Sequence, residues 1–534
     1  MALPTSLAYG VPSVVLLLLI RHIWHRRHHY PPGPPQDPLI GNLRNVPKDK
    51  PCLTWEEWGK TYGPLVYMNI VGKPYIIINS YEVARELLEK RGGKYSDRPR
   101  FVMAGELVGL GIQTALAPFG PLWRRHRKFF ASALAPHVIV KNYSSIHERK
   151  AYQFIQYCLD RPEEYRQNIK RMSGEAVNEI TYGASRNEEY DFVDLNEELS
   201  SVTGRVMQGY LVDFLPWLKY VPEWMPGAQF KRDARKWKGQ YSWTRNYLLG
   251  TVQKAVASGH PFRTSYVSSL LQAVAKSDTR QEDEGMIGSS GLTFYRAAND
   301  TVSHFVTVEA GMSNKVLKDI DPSYFQTVSA LNTFLVAMSL YPEVQVKARA
   351  ELDRVLGDRL PSLSDRNELP YIFAIVQEVL RWVPPFPNGL PHRLMEEDTY
   401  EGYYIPAGAT VFANLWAMSR DPNIFENPDK FDPDRYYNGT AKLDSRDFVF
   451  GFGRRVCPGN HLAIQGIFMT VATILWSFEI KDKSPINKRD MDSRQIFNLN
   501  FTAHPEPFDI SLEPRLPNLH EYITRGISER EALE

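Results

Sequence analysis

One cysteine sits in a run whose residue types restrict what it can do. Phe450-Gly451-Phe452-Gly453-Arg454-Arg455-Val456-Cys457-Pro458-Gly459 places a thiol among glycines, two arginines and a proline. Glycines permit tight turns and close approach to a flat ligand. Backbone N–H groups aimed at the sulfur, together with nearby positive charge, favour a thiolate. The following residues, Asn460 to Met469, read as a helix whose N-terminus faces that sulfur and adds favourable dipole charge. A cysteine presented in this way ligates haem iron, acts as a nucleophile, or is a buried bystander. The chain's other cysteines are Cys52 and Cys158, so there is no disulfide framework and no clustered metal site.

The same ten residues follow the pattern Phe-x-x-Gly-x-Arg-x-Cys-x-Gly without a gap. On this run the chain resembles the haem-thiolate monooxygenases of the cytochrome P450 superfamily. The resemblance implies a mainly α fold with small β-sheets (α+β) and a haem b cofactor. It makes Cys457 the axial iron ligand and catalytic residue, whose thiolate pushes electron density onto the metal and favours O–O cleavage. It also packs Phe450 beside that ligand and pairs Arg455 with a haem propionate.

Two further groups of residues gain meaning from the resemblance. In Trp123-Arg124-Arg125-His126-Arg127, Trp123 and Arg127 stand one helical turn apart. Taken alone, the run is a solvated basic helix or a membrane-facing patch. The resemblance brings Trp123 and Arg127 to a propionate, where arginine's planar fork suits a carboxylate. It brings His392, in Leu390-Pro391-His392-Arg393, to the same groups, with Arg393 assisting. Arg124 and neighbouring basic residues then suit an acidic electron donor. Glu378 and Arg381 are three apart on one helix face, a spacing that is usually a weak surface pair. In the resembling family an arginine from an irregular meander joins such a pair, and here that residue is Arg435. The expected role is structural, a lock behind the cysteine loop.

One part departs from the family pattern. Its central helix carries Ala-Gly-x-Asp/Glu-Thr, in which the acid and the alcohol relay protons. Aligning backward from Thr327-Val328-Ser329-Ala330 puts Phe325 at the acid position and Gln326 at the alcohol position, with Pro322 just upstream. Either a mistaken splice boundary altered the sequence there, or protons travel through Asp319, Asp321, Ser323 or Thr327 with ordered water. Weakly coupled oxygenation is the expectation. The departure also motivates two alternatives: a haem-thiolate isomerase or dehydratase, which needs no reductase, and a catalytically impaired haem-binding relative.

The elements that must position these residues are legible in outline. Leu65–Val71 and Lys73–Ile78 read as a hairpin about Gly72. Residues 80–90, 327–340 and 370–382 read as helices, and another begins at Pro342. The region from about 140 to 280 is mostly helical in pattern, broken at Pro216, Pro222 and Pro226. Residues 278–300, with glycines and the acidic Glu282-Asp283-Glu284, read as an exposed loop. Residues 401–412 are strand-like, 421–437 form a meander, and the proline-broken stretch after Phe501 is expected to close a pocket.

Over 534 residues the net charge is only +2, which gives no ground for nucleic-acid binding. Apolar residues make up 43% of the chain, ample for an extensive core. Ala2 to Ile20 carries no charge, and Arg21, Arg26 and Arg27 follow it. That length just spans a bilayer core as a helix, and the flanking charges place the rest of the chain on the cytoplasmic side. Pro31-Pro32-Gly33-Pro34-Pro35 cannot continue such a helix. The expected organisation is a transmembrane anchor with a basic flank over 1–30 and a haem domain over 31–534, with a hinge at 31–35. The motifs look most like membrane-bound fungal members, especially basidiomycete enzymes that oxidise secondary metabolites. That likeness implies the endoplasmic reticulum membrane, with a single pass and a cytosolic catalytic domain. It implies NADPH-cytochrome P450 reductase and cytochrome b5 as electron donors. It also implies hydroxylation or epoxidation of an apolar substrate, with a terpenoid expected. The Asn-x-Ser/Thr matches at Asn142, Asn299 and Asn438 would face the cytosol and stay unglycosylated.

Overall fold

The computed structural model describes residues 29–183, 192–207, 209–258, 263–276, 278–299, 326–483 and 492–532. Its longer helices in the first half are α1 (Pro51–Tyr62), α2 (Pro121–Ala133), α3 (Pro136–Asp160), α4 (Tyr165–Tyr182), α5 (Phe192–Met207) and α6 (Gln229–Ser258). They continue with α7 (Tyr266–Val274), α8 (Arg280–Asn299), α9 (Gln326–Leu340), α10 (Pro342–Leu356), α11 (Pro370–Trp382), α12 (Asn460–Ser477) and α13 (Leu519–Glu531). Helices α1, α2, α3, α10 and α11 each start on a proline, which presets φ where no intrahelical N–H bond is needed. Helix α12 is buried along nearly its whole length. A helix apolar all round belongs in a core, and α12 lies against α3, α9, α10 and α11.

The main sheet comprises β1 (Leu65–Ile70), β2 (Lys73–Ile78), β3 (His392–Arg393) and β4 (Thr410–Ala413), in the order β1-β2-β4-β3. Only the β2–β4 pair is parallel. Ile70 opposes Lys73, leaving Val71-Gly72 as a two-residue turn with both φ angles positive, at 49° and 82°. That geometry matches the twist of a hairpin. The proline segment lies along β1, with the Tyr67 N–H donating to the Pro32 carbonyl at 2.9 Å. A Cβ on Gly33 would come within 2.0 Å of the Tyr67 carbonyl oxygen, so only glycine fits this approach. The α+β expectation holds. The predicted anchor lies outside the described residues except for its last two positions. Among the described residues no helix is long and apolar enough to cross a membrane.

Residues 278–300 correct an expectation. Instead of an exposed loop, Arg280–Asn299 forms a helix in which Ile287, Ser290, Leu292, Phe294 and Tyr295 are buried. Its glycines serve packing. A Cβ on Gly291 would meet Val267 at 2.8 Å, and one on Gly288 would meet Leu249 at 3.1 Å. Close contact with α6 and α7 therefore outweighs the low helix propensity of glycine. Asp283, read as part of an exposed acidic patch, is buried and paired with Arg125 of α2. The C-terminal hairpin, Phe497–Leu499 with Ala503–Pro505, packs on Pro385-Phe386, while among the described residues none beyond Thr470 lines the main cavity, so the stretch after Phe501 backs the pocket and does not itself close it. There the Ala503 N–H donates to the Pro385 carbonyl at 3.0 Å, and Phe501 meets Phe386 edge-on.

Candidate functional site

The cysteine loop is a turn with tight backbone constraints. Gly451 and Gly453 have φ of 81° and 53°, a region that favours glycine. At Gly453 a Cβ would also strike the Leu88 carbonyl oxygen at 2.3 Å. The Cys457 N–H donates to the Phe450 carbonyl at 2.8 Å and closes the loop, and α12 starts three residues later. Burial pushes the thiol above its ordinary pKa, against the Gly459 amide and the Arg127 charge that draw it down. The Gly459 amide and the Arg127 charge act in the direction the sequence reading expected, and burial of the sulfur acts against them. Arg455 turns its guanidinium to backbone carbonyls, and desolvation in the cavity wall outweighs the remaining donors.

All six residues singled out from the sequence, Trp123, Arg127, His392, Phe450, Arg455 and Cys457, line one cavity of about 300 Å³. Helix α2 carries Trp123 and Arg127, β3 carries His392, and the cysteine loop carries the other three. Arg127 donates to the Val456 carbonyl at 2.7 Å. Arg455 donates to the Ser96, Thr114 and Ala117 carbonyls at 2.7, 3.3 and 2.9 Å. Both guanidiniums lie over the Trp123 ring, at 5.9 and 4.8 Å from its centroid. Burial lowers the pKa of Arg455 to about 10, helped by the Arg127 charge and opposed by Asp97. The His392 Nδ1 bonds the Tyr95 carbonyl at 2.8 Å, so it carries the proton and Nε2 is bare. Burial, with Arg98 and Arg455 nearby, holds that ring at about 3. Arg393 does not reach the cavity; it pairs with Asp97 at 2.9 Å on the protein's outer side.

Sequence reasoning missed Arg98. This guanidinium lines the same cavity and is buried, donating to the Ala115 carbonyl at 2.8 Å and the Pro391 carbonyl at 2.6 Å. Its partners lie 17 and 293 residues away, so only the fold exposes its role. Three guanidiniums thus converge on a wall where, among the described residues, no carboxylate lines the cavity. The rest of the lining is mostly apolar, including Phe130, Phe294, Phe386 and Leu415. A largely apolar ligand carrying anionic groups at one edge fits this wall, and a metal-centred one also meets the cysteine. Haem, with its flat apolar ring, two propionates and iron, has that chemistry.

Behind the cysteine loop the predicted triad is present. Glu378 and Arg381 form a two-bond pair, both at 2.8 Å, and Arg435 Nε reaches the same carboxylate at 3.2 Å. Arg381 also donates to the carbonyls of Ser419 and Pro428, and Arg435 to that of Glu426. Glu378 and Arg381 are fully buried, so this is an internal lock and not a surface pair.

The acid–alcohol pair was sought too far along the chain. Thr293, Phe294 and Ala297 of α8 face the cavity, as does Ala330 of α9. The sequence running out of α8 reads Ala297-Ala298-Asn299-Asp300-Thr301, the expected pattern with alanine in place of glycine. Phe325, Asp300 and Thr301 lie outside the described residues, as do the proposed substitutes Asp319, Asp321 and Ser323 and the side chains of Gln326 and Thr327. The signal that could have found the pair was the motif itself, obscured because α8 was read as a loop.

Comparison with known proteins adds a second line of evidence. A sequence profile described as cytochrome P450 matches residues 31–308 and 325–512. The chain is 32% identical over 526 residues to cytochrome P450 monooxygenase 136 of Postia placenta, covering 96% of this chain and 94% of that one. It is 34% identical over 519 residues to cytochrome P450 monooxygenase COX2 of Coprinopsis cinerea, covering 93% and 92%.

Proposed function

The chain belongs to the cytochrome P450 family, the haem-thiolate oxidoreductases, and from that premise we propose how it works and on what. It inserts one oxygen atom of dioxygen into an apolar secondary metabolite, a terpenoid, by hydroxylation or epoxidation, and the second atom leaves as water. The electrons come from NADPH through a membrane-bound flavoprotein reductase, with cytochrome b5 as a second donor. The observation that carries this reading is the convergence of Cys457, three guanidiniums and His392 on one mostly apolar cavity.

Haem supplies the iron at which dioxygen is activated. The chain's residues do the rest. Cys457 would provide the sulfur ligand to the iron, and Trp123, Arg98, Arg127, His392 and Arg455 would hold the propionates in place of water. A carboxylate near His392 favours its protonated form, offsetting the burial that keeps the ring neutral. The apolar wall formed by Phe386, Leu390, Ala413 and Leu415 excludes water and receives an apolar substrate. The cysteine loop and α2 present Arg124, Lys128 and Arg454 to solvent, with Arg124 and Arg454 both lying over the Phe119 ring at 5.3 and 5.5 Å. This cationic surface suits an acidic reductase.

A single-pass anchor in the endoplasmic reticulum membrane, with the catalytic domain cytosolic, completes the reading. It is supported by the uncharged Ala2–Ile20 segment and by the exposed Leu211, Trp217, Tyr220 and Trp224 between α5 and α6. Aromatic side chains of this kind favour a membrane–water boundary. An isomerase or impaired relative was motivated by the missing acid–alcohol pair, and Asp300-Thr301 removes that motive. Expression with a reductase and a panel of apolar terpenoids tests the proposal. Oxygenated product that requires NADPH is expected, whereas turnover of an already oxygenated substrate without electrons would contradict it.

A further inference from the structure

Helices α8 and α9 share three features that two unrelated helices need not share. They touch each other, both lie on α4, and both supply walls to the same cavity. The sequence at their junction repeats: Thr301-Val302-Ser303 recurs 26 residues later as Thr327-Val328-Ser329. The family profile matches up to residue 308 and resumes at 325, passing over the intervening residues. That stretch carries Pro322, which cannot continue a helix, and Lys315, Lys318, Asp319 and Asp321, which suit no apolar cavity wall.

We infer that residues 302–327 are an in-frame insertion that splits one helix into α8 and α9, and that the chain without them restores that helix as one continuous cavity wall. This rests on the function proposed above for the cavity. The register of the two helices carries this inference. Joining Thr301 to Val328 sets Ala330 seven positions after Ala297, close to two whole turns. At about 100° per residue, Thr293, Phe294, Ala297 and Ala330 then fall within an arc of about 100°. Those four are the cavity-lining residues of the two helices. An excision one or two residues longer or shorter would rotate Ala330 by about 100° or more and carry it out of that arc. Because the Thr-Val-Ser repeat is identical at both ends, a join after Thr301, Val302 or Ser303 yields the same chain. That degeneracy is expected of an intervening segment bounded by a short repeat.

The test compares the full chain with a variant lacking residues 302–327, and that variant with a second one also lacking Val328. Helicity by circular dichroism, thermal midpoint, haem occupancy and product formed per NADPH are measured on all three. The deletion chain is expected to melt higher, to hold more haem and to couple NADPH to product several-fold better. The longer deletion should melt lower and hold less haem than the 302–327 deletion, because it turns Ala330 out of the cavity arc by about 100°. A deletion chain that melts lower than the full chain would overturn the inference. So would equal melting and haem occupancy in the two deletion variants. Absence of thiolate-ligated haem from every chain would instead sink the proposed function, with helicity and melting still deciding the insertion. Sequencing of mature transcripts is independent of folding. Codons 302–327 should be missing from the translated message, and their presence in every transcript would contradict the insertion.

Discussion

Three guanidiniums facing an apolar cavity, Arg98 buried and Arg127 and Arg455 half-buried, carry a desolvation cost that only an anionic ligand offsets well. Arg98 shows this most clearly, since burial and the nearby Arg455 charge drive its pKa well below the ordinary arginine value. Its donors reach only the carbonyls of Ala115, Leu390 and Pro391. Arg98→Ala should lower haem occupancy without moving the absorption band set by the thiolate ligand. Arg98→Lys should restore little, because an ammonium lacks the planar fork. Full haem retention in Arg98→Ala would show that the residue only braces the chain. Arg98 was invisible in the sequence because Asp97-Arg98-Pro99 resembles any polar turn. Cys457, by contrast, was legible because its constraints are local: two positive-φ glycines and a loop-closing bond within seven residues.

At the scale of elements, α11 and the meander depend on one carboxylate. Removing Glu378 strands two buried guanidiniums, a change of about 3–5 kcal/mol for a broken internal pair. Glu378→Gln should therefore give mostly haem-free or aggregated protein. A folded holoprotein altered only in substrate preference would contradict the lock. Buried histidines add a pH dependence. Burial holds His126 at about 4 and His504 at about 3, so both stay neutral in the fold. The unfolded chain protonates them below about 6.5, so their contribution is full above that pH and is lost as pH falls toward 4, at about 1.4 kcal/mol per unit for each. The thermal midpoint should fall between pH 7 and pH 5, and His126→Gln should soften that fall. A midpoint flat over this range would contradict the assignment. Helix α11 could be read to the residue because its apolar positions recur at helical spacing between a starting proline and Trp382. Helix α8 could not. Gly285, Gly288 and Gly291 imitate a loop, and the reason for the latter two, contact with α6 and α7, is tertiary.

For the whole molecule, the sheet, the cysteine loop and the helices around α12 place the cavity between an apolar core and a cationic outer surface. Charge reversal at Arg124 and Arg454 should raise the reductase concentration needed for half-maximal turnover and flatten its dependence on salt. Unchanged reductase dependence would move the docking surface elsewhere. The full chain should resist carbonate extraction from membranes while its catalytic domain remains open to protease in sealed microsomes. A soluble mature chain beginning near Tyr30 would contradict the anchor. The central claim is that Cys457 is the thiolate ligand of a haem held by this cavity. The reduced carbon monoxide difference spectrum tests it most directly. The wild-type chain should show the red-shifted Soret band of a thiolate-ligated haem, and Cys457→Ala should abolish it. Persistence of that band in Cys457→Ala would contradict the account.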